Sequence, residues 1–117
     1  MKEIQIFHHE MFGDIRTMTD EQGETCFVGK DVAEALGYKN APDAISKHVD
    51  EEDKGTIAIR DSAFETRAII INESGLYSLV LSSKLPQARV FKHWVTSEVL
   101  PAIGKTGGYI PTKDAEG

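Results

Sequence analysis

The first pattern along the chain has a period of two. Ile4, Ile6 and His8 alternate with Gln5 and Phe7, which predicts a short strand. Met11 to Thr19 contains Ile15, Thr17 and Met18 and reads as a second strand. A polar turn, Asp20-Glu21-Gln22-Gly23, follows it, and Thr25-Cys26-Phe27-Val28 returns as a third. An antiparallel meander is the simplest arrangement of the three.

At Gly29 the period changes. Val32, Ala35 and Leu36 fall at i, i+3 and i+4, one face of a helix, and Gly37 stands where a left-handed C-terminal residue is expected. After a short connection, Asn40 is placed to cap a second helix, with Pro42 tolerated in its first turn. Ala41, Ile45 and Val49 mark the buried stripe of that helix, and the run Asp50-Glu51-Glu52-Asp53 ends it. Thr56-Ile57-Ala58-Ile59 and Thr66-Arg67-Ala68-Ile69-Ile70-Ile71 predict two strands of a hairpin, with Asp61-Ser62-Ala63 as its loop.

Asn72 is placed to cap a third helix, on which Leu76, Leu79 and Val80 share a face. Gly75 inside that helix costs ~1 kcal/mol of propensity relative to alanine, so it signals a close approach by a neighbour. Pro86 suits the first residue of a fourth helix. Along it Phe91, Val95, Glu98 and Ala102 form one row, with Val90, Trp94 and Val99 beside it, and Pro101 is expected to end or kink the helix near Glu98 to Leu100. Residues 107–117, rich in glycine and poor in apolar side chains, read as a flexible tail or the start of a linker to a further domain. The expectation is an α+β fold over residues 1–106: one or more small antiparallel sheets with about four helices, including a helix-turn-helix-like pair followed by a β-hairpin.

Composition narrows the function. The chain has 117 residues, which is one domain by size, and its 40% hydrophobic and 27% charged content is globular. No apolar run approaches the ~20 residues that span a bilayer. One cysteine, Cys26, excludes an internal disulfide framework and fits a reducing cytoplasm. Thirteen basic and nineteen acidic residues give a net charge of −6, which on its face opposes nucleic-acid binding. The excess acid is local, however. It falls in residues 1–28, with two basic and six acidic side chains, and in the run 50–53. The middle of the chain keeps Lys30, Lys39, Lys47, Arg60 and Arg67, which are expected to meet on one exposed patch.

The helix pair is the element with a use for that patch. A short helix can enter the major groove while flanking cations hold phosphates. On this reading Asn40, Ser46, Lys47 and His48 of the second helix reach base edges or phosphates. Lys30 and Lys39 hold backbone, and Arg60 and Arg67 of the hairpin contact a second stretch of phosphate. Two short helices joined by a tight turn are also common as plain core elements, and single surface lysines are commonly just solvated.

Other chemistry finds little support. His8 and His9 would face opposite sides of a strand, and the four histidines form no HxH or HExxH spacing. Pro42-Asp43 followed by Glu52-Asp53-Lys54 mimics a metal-dependent nuclease pattern, but Asp43 begins a helix and the other three sit in an acidic loop. Cys26 reads as a small buried residue, and no P-loop, GxGxxG or Gly-x-Ser-x-Gly occurs. No enzyme, metal or cofactor is called for.

Three separated stretches carry a family resemblance. Phe27-Val28-Gly29-Lys30-Asp31-Val32-Ala33-Glu34-Ala35-Leu36-Gly37-Tyr38 resembles the opening of the Bro-N domain of phage antirepressors and baculovirus Bro proteins. Ile71-Asn72-Glu73-Ser74-Gly75-Leu76-Tyr77 is similar to its second signature. Phe91-Lys92-His93-Trp94-Val95-Thr96-Ser97-Glu98-Val99-Leu100-Pro101 is similar to its third, and Gly107-Gly108-Tyr109 to its usual ending. Order and spacing agree over about residues 5–109. The resemblance implies double-stranded DNA as partner, in phage regulators that relieve repression or alter transcription in the cytoplasm of a bacterial host, and in many members a C-terminal domain follows. The alternative is a module that binds a phage repressor protein through its acidic surface without touching DNA. A homodimer would match two half-sites on DNA. The resemblance supplies no catalytic residues.

Overall fold

The computed structural model describes residues 4–61 and 64–106, with backbone alone at 60, 61, 64 and 104–106. The expected tail, 107–117, and the hairpin residues 62 and 63 lie outside the described residues. The strands are β1 (Gln5–His9), β2 (Gly13–Thr19), β3 (Thr25–Val28), β4 (Lys54–Asp61) and β5 (Phe64–Asn72). The helices are α1 (Gly29–Ala35), α2 (Ala41–His48), α3 (Glu73–Ser82), α4 (Gln87–Trp94) and α5 (Leu100–Thr106).

The strands form one antiparallel sheet in the order β1-β2-β3-β5-β4. The meander and the hairpin are therefore one sheet, joined where Phe27 of β3 faces Ile71 of β5. Alternation sends Ile15, Phe27 and Ile71 to the face that the helices cover. There they meet Val32 of α1 and Leu36 at its C-terminal end, Ile45 of α2, Leu76 and Leu79 of α3, and Phe91 of α4. The opposite face carries a second cluster made of strand residues alone: Met18, Cys26 and Val28, with Ile57, Ile59, Ala68 and Ile70 packed against them. Cys26 is buried there, as its apolar neighbours predict.

The turns follow the local chemistry. Asp20 Oδ1 accepts from the backbone N–H groups of Gln22 (2.9 Å) and Glu24 (2.8 Å), and so closes the β2–β3 turn. At the end of α1 the N–H of Gly37 donates to Glu34 O and that of Tyr38 to Ala33 O, a Schellman pairing that requires the φ of +86° found at Gly37. Tyr38 then turns inward, and its hydroxyl donates to Leu79 O at 2.8 Å, tying the α1–α2 connection to α3. Asn40 Oδ1 caps α2 by accepting from Asp43 N at 3.1 Å. The acidic run that ends α2 forms a 3₁₀ turn, Glu51–Asp53. Asn72 caps α3 through Gly75 N (2.9 Å) while its Nδ2 donates to Asp53 (3.1 Å). Gly75 has the close approach its cost implied: a Cβ there would lie 3.0 Å from Val49 Cγ1 and 3.1 Å from Ile71 Cβ.

Pro101 does not end the last helix, the first of the two outcomes expected of it. The helix passes through Pro101 to Thr106, and residues Val95–Val99 relax into a π-helical stretch. Proline has no N–H to donate back along the helix, and the wider turn absorbs that loss without a break. The rod of α4 and α5 is thus the expected fourth helix, packed on Phe12 and His9 through Phe91 and Trp94.

The decisive feature is the length of β3. It pairs with β2 only from Thr25 to Phe27 and with β5 only from Cys26 to Val28. Beyond Val28 the chain leaves as α1, while β2 continues beside β1 and β5 beside β4. Two ribbons therefore diverge with the start of α1 between them. Arg16 of β2 faces Ile6 of β1 on one side but has no β3 residue on the other. Asp31, in the first turn of α1, takes that place, accepting from Arg16 N (3.0 Å), Nε (2.8 Å) and Nη2 (2.9 Å). The bonds to Asp31 raise the Arg16 pKa above its ordinary value, against the effect of partial burial. Gly29 lets the helix leave here, because a Cβ would come within 2.6 Å of Ile45 Cδ1.

Two substitutions test these contacts by urea denaturation. Asp31→Ala removes three bonds to Arg16 and should lower unfolding free energy by about 2–3 kcal/mol. Gly37→Ala forces a β-carbon into left-handed backbone and onto the Leu85 side chain, and should cost about 2–3 kcal/mol.

Candidate functional site

The gap between the two ribbons opens into a groove of about 890 Å³. One wall is Ile4 and Ile6 at the β1 edge, with Arg16 beside them. The other is Ile59 of β4 with Thr66, Arg67, Ala68 and Ile69 of β5. Lys30 and Glu34 of α1, the connection residues Lys39 and Asn40, and the start of α2 close the end. Strands at opposite edges of the sheet line one groove, so the sheet curls strongly toward the strand-only cluster.

The sequence-predicted site residues divide in two. Lys30, Lys39, Asn40 and Arg67 come together at this groove although they arise from three separate elements. Lys30, Lys39 and Arg67 are exposed, and none forms an ion pair with a described residue. Arg16 is bound to Asp31, which leaves Glu34 as the acid of the lining set against three unpaired cations. Asn40 commits its side-chain oxygen to the α2 cap.

Ser46, Lys47 and His48 do not line the groove. Lys47 Nζ lies 3.2 Å from Asp43 Oδ2 on the outer face of α2. The His48 ring packs at 5.7 Å from that of Tyr38, whose phenol pKa is pushed up by burial. Ser46 is exposed beside them. Arg60 belongs to β4, opposite Glu65 of β5, and its side chain lies outside the described residues. The cations of the middle third therefore gather in part: three around the groove, and Lys47 elsewhere with its own acid.

The sequence reading passed over Ile4, Ile6, Arg16, Ile59 and Ile69 as site residues. Alternation did mark the isoleucines as strand residues. Their meeting at one groove depends on how far β3 extends, and the link between Arg16 and Asp31 has no local signal.

A shallower crevice of about 190 Å³ lies toward the other end of β3, beside Cys26 and Ile70. Here the two acidic stretches of the sequence meet: Asp20 and Glu24 from the β2–β3 turn face Glu52 and Asp53 from the 3₁₀ turn, with Lys54 among them. Among the described residues no three His, Cys, Asp or Glu side chains gather as a metal site would require. No helix of the described residues is long and apolar enough to cross a membrane.

Comparison with known proteins bears on this chain as a whole. The model of the BRO family N-terminal domain, Bro-N, matches residues 14–101. A Bro-N domain-containing protein, 289L, of Invertebrate iridescent virus 6 is 41% identical over 101 residues, covering 71% of this chain and 24% of the viral protein. An uncharacterised protein of Haemophilus influenzae is 37% identical over 95 residues, covering 81% of this chain and 47% of that protein. A Bro-N domain-containing protein, ORF2, of Autographa californica nuclear polyhedrosis virus is 29% identical over 114 residues, covering 84% of this chain and 35% of its own length. The chain thus spans about a quarter to about half of these relatives. No solved structure matches it. The matched span runs from the start of β2 to the proline of the last helix and leaves β1 outside it, and the chain belongs to the BRO family N-terminal domain, Bro-N.

Proposed function

We propose that this Bro-N domain is a DNA-binding module of an antirepressor-type transcriptional regulator, and that it holds duplex DNA at the mouth of the groove. The observation that carries the reading is the meeting of Lys30, Lys39 and Arg67, with no ion pair to any described residue, around one opening in a chain of net charge −6. Excess acid elsewhere repels phosphate, so a local group of free cations decides which face approaches DNA. The β4–β5 ribbon, which extends past the end of β3, reaches out as a wing with Arg67 and Arg60 on it. Lys30 and Lys39 hold phosphates from the helix side, and Asn40 lines the same opening.

This docking differs from a recognition helix laid into the major groove along its length. The outer face of α2 carries the Asp43–Lys47 pair and runs into Asp50 and Glu51, which makes it a poor approach for a phosphate backbone. Ser46, Lys47 and His48 accordingly lie outside the contact on this reading, and the α1–α2 connection is the inserted part. The acidic crevice of Asp20, Glu24, Glu52 and Asp53 favours one further role, capture of a basic surface on a repressor protein. The same regulator could use both ends.

The test is the salt dependence of duplex binding by fluorescence anisotropy between about 50 and 200 mM salt. Removing one phosphate-holding cation lowers the log–log slope by about 1. The triple variant Lys30→Gln, Lys39→Gln, Arg67→Gln should flatten the slope by about 2–3 and abolish most of the affinity, whereas Lys47→Gln should leave it within error. An unchanged slope in the triple variant would remove the groove from the DNA interface. Protein that shifts no duplex at low salt yet retains a repressor in a pull-down would favour the acidic crevice instead.

A further inference from the structure

The cationic rim surrounds an interior that phosphate does not need. Ile6 is 60% exposed, Ile4 39% and Ile69 38%, and all three face the same opening above Val28 and Ala68. Large aliphatic side chains left uncovered together mark a contact surface. From these facts we infer that the groove takes an extended segment of a partner protein in which aliphatic and acidic residues alternate, with the aliphatic side chains on the isoleucines and the carboxylates on Lys30, Lys39 and Arg67.

The choice of occupant follows from the lining. A nucleic-acid strand seated in the groove would want aromatic faces for its bases. Among the described residues the lining has none, since its apolar members are isoleucine, valine, alanine and proline. A small molecule is held by enclosing most of its surface, and walls this exposed do not enclose. A second copy of this chain offers Asp20-Glu21-Gln22-Gly23-Glu24 and Asp50-Glu51-Glu52-Asp53, neither with an aliphatic side chain between its acids, and Asp114-Ala115-Glu116, which alternates over three residues only and carries alanine where the isoleucines would want a large aliphatic side chain. An alternating segment satisfies both halves of the groove. Its side chains fall on two sides with period two, so one row meets the floor while the other reaches the rim.

The segment needs the cations that the DNA reading assigns to phosphate. Peptide and duplex should therefore exclude one another; that clause rests on the proposed function, while peptide binding itself does not. The experiment is a titration of this domain into a fluorescein-labelled short peptide alternating valine with glutamate, followed by anisotropy. Saturable binding is expected, weakened about tenfold by Ile6→Ser, and also by Arg67→Gln, with circular dichroism confirming that each variant stays folded. Ile6 is an exposed edge residue, so its replacement leaves the core intact. Duplex affinity should fall in Arg67→Gln and hold in Ile6→Ser, which separates the two ligands. Absence of peptide binding overturns this inference and leaves the DNA reading standing if duplex still binds. Equal binding of a glutamate–glycine peptide, or indifference to Ile6→Ser, also overturns it, because the isoleucines would then do nothing. Tighter seating of a single-stranded oligonucleotide that Ile6→Ser abolishes overturns it in favour of nucleic acid.

Discussion

The short third strand is the constraint from which the site follows. A strand that stops before its neighbours leaves one backbone row on each of them without a partner, and such rows are costly to bury and hazardous to expose. The chain handles the two sides differently. On the β2 side Asp31 supplies an acceptor for the Arg16 N–H and clamps the guanidinium with it. On the β5 side the strand stays paired to β4 and projects as a ribbon. The same event begins α1 at Gly29, so helix, clamp and ribbon have a common origin within three residues of sequence. The groove is the space that this divergence leaves.

Charge distribution then acquires a meaning that the net value hides. Glu24 and Asp20 sit at the turn into β3, and Lys30 sits just past its end. Along this short strand the local field changes sign, with the acidic crevice beside Cys26 and the free cations beside Val28. On the proposed function, a net charge of −6 opposes random contact with polyanions, and the cations at one end decide where a polyanion approaches. Breaking the Asp31 clamp would free Arg16 as a fourth groove cation.

Much of the architecture was legible because local chemistry and tertiary structure agree. Asn40 and Asn72 cap the helices they precede, Gly37 adopts the left-handed backbone that its position asks for, and Gly75 lies against Val49 and Ile71 as its propensity cost implied. Where the chain departs from the reading, a longer-range cause is visible. Pro101 fails to stop the last helix because Phe91, Val95 and Val99 upstream and Ile103 beyond it are buried in one core, which favours a widened turn over a break. The candidate site was half legible. Residue type singled out Lys30, Lys39, Asn40 and Arg67, but Lys47 has the same character and differs only in having Asp43 one helical turn away. The isoleucines of the groove have no chemical signature in sequence, since an exposed Ile6 and a buried Ile15 obey the same alternation. Only the register of β1 on β2, and the point at which β3 stops, distinguishes them.

On the proposed function, duplex DNA approaches through the gap between the ribbons and not along α2. Backbone amide chemical-shift mapping during a titration with duplex DNA reads that claim residue by residue. The account predicts that the amides of Lys30, Lys39, Asn40, Thr66 and Arg67 move together and saturate at one ratio while those of Ser46 and Lys47 stay near their free positions. Shifts concentrated on Ser46, Lys47 and His48, with the ribbon and the α1–α2 connection unmoved, would contradict it.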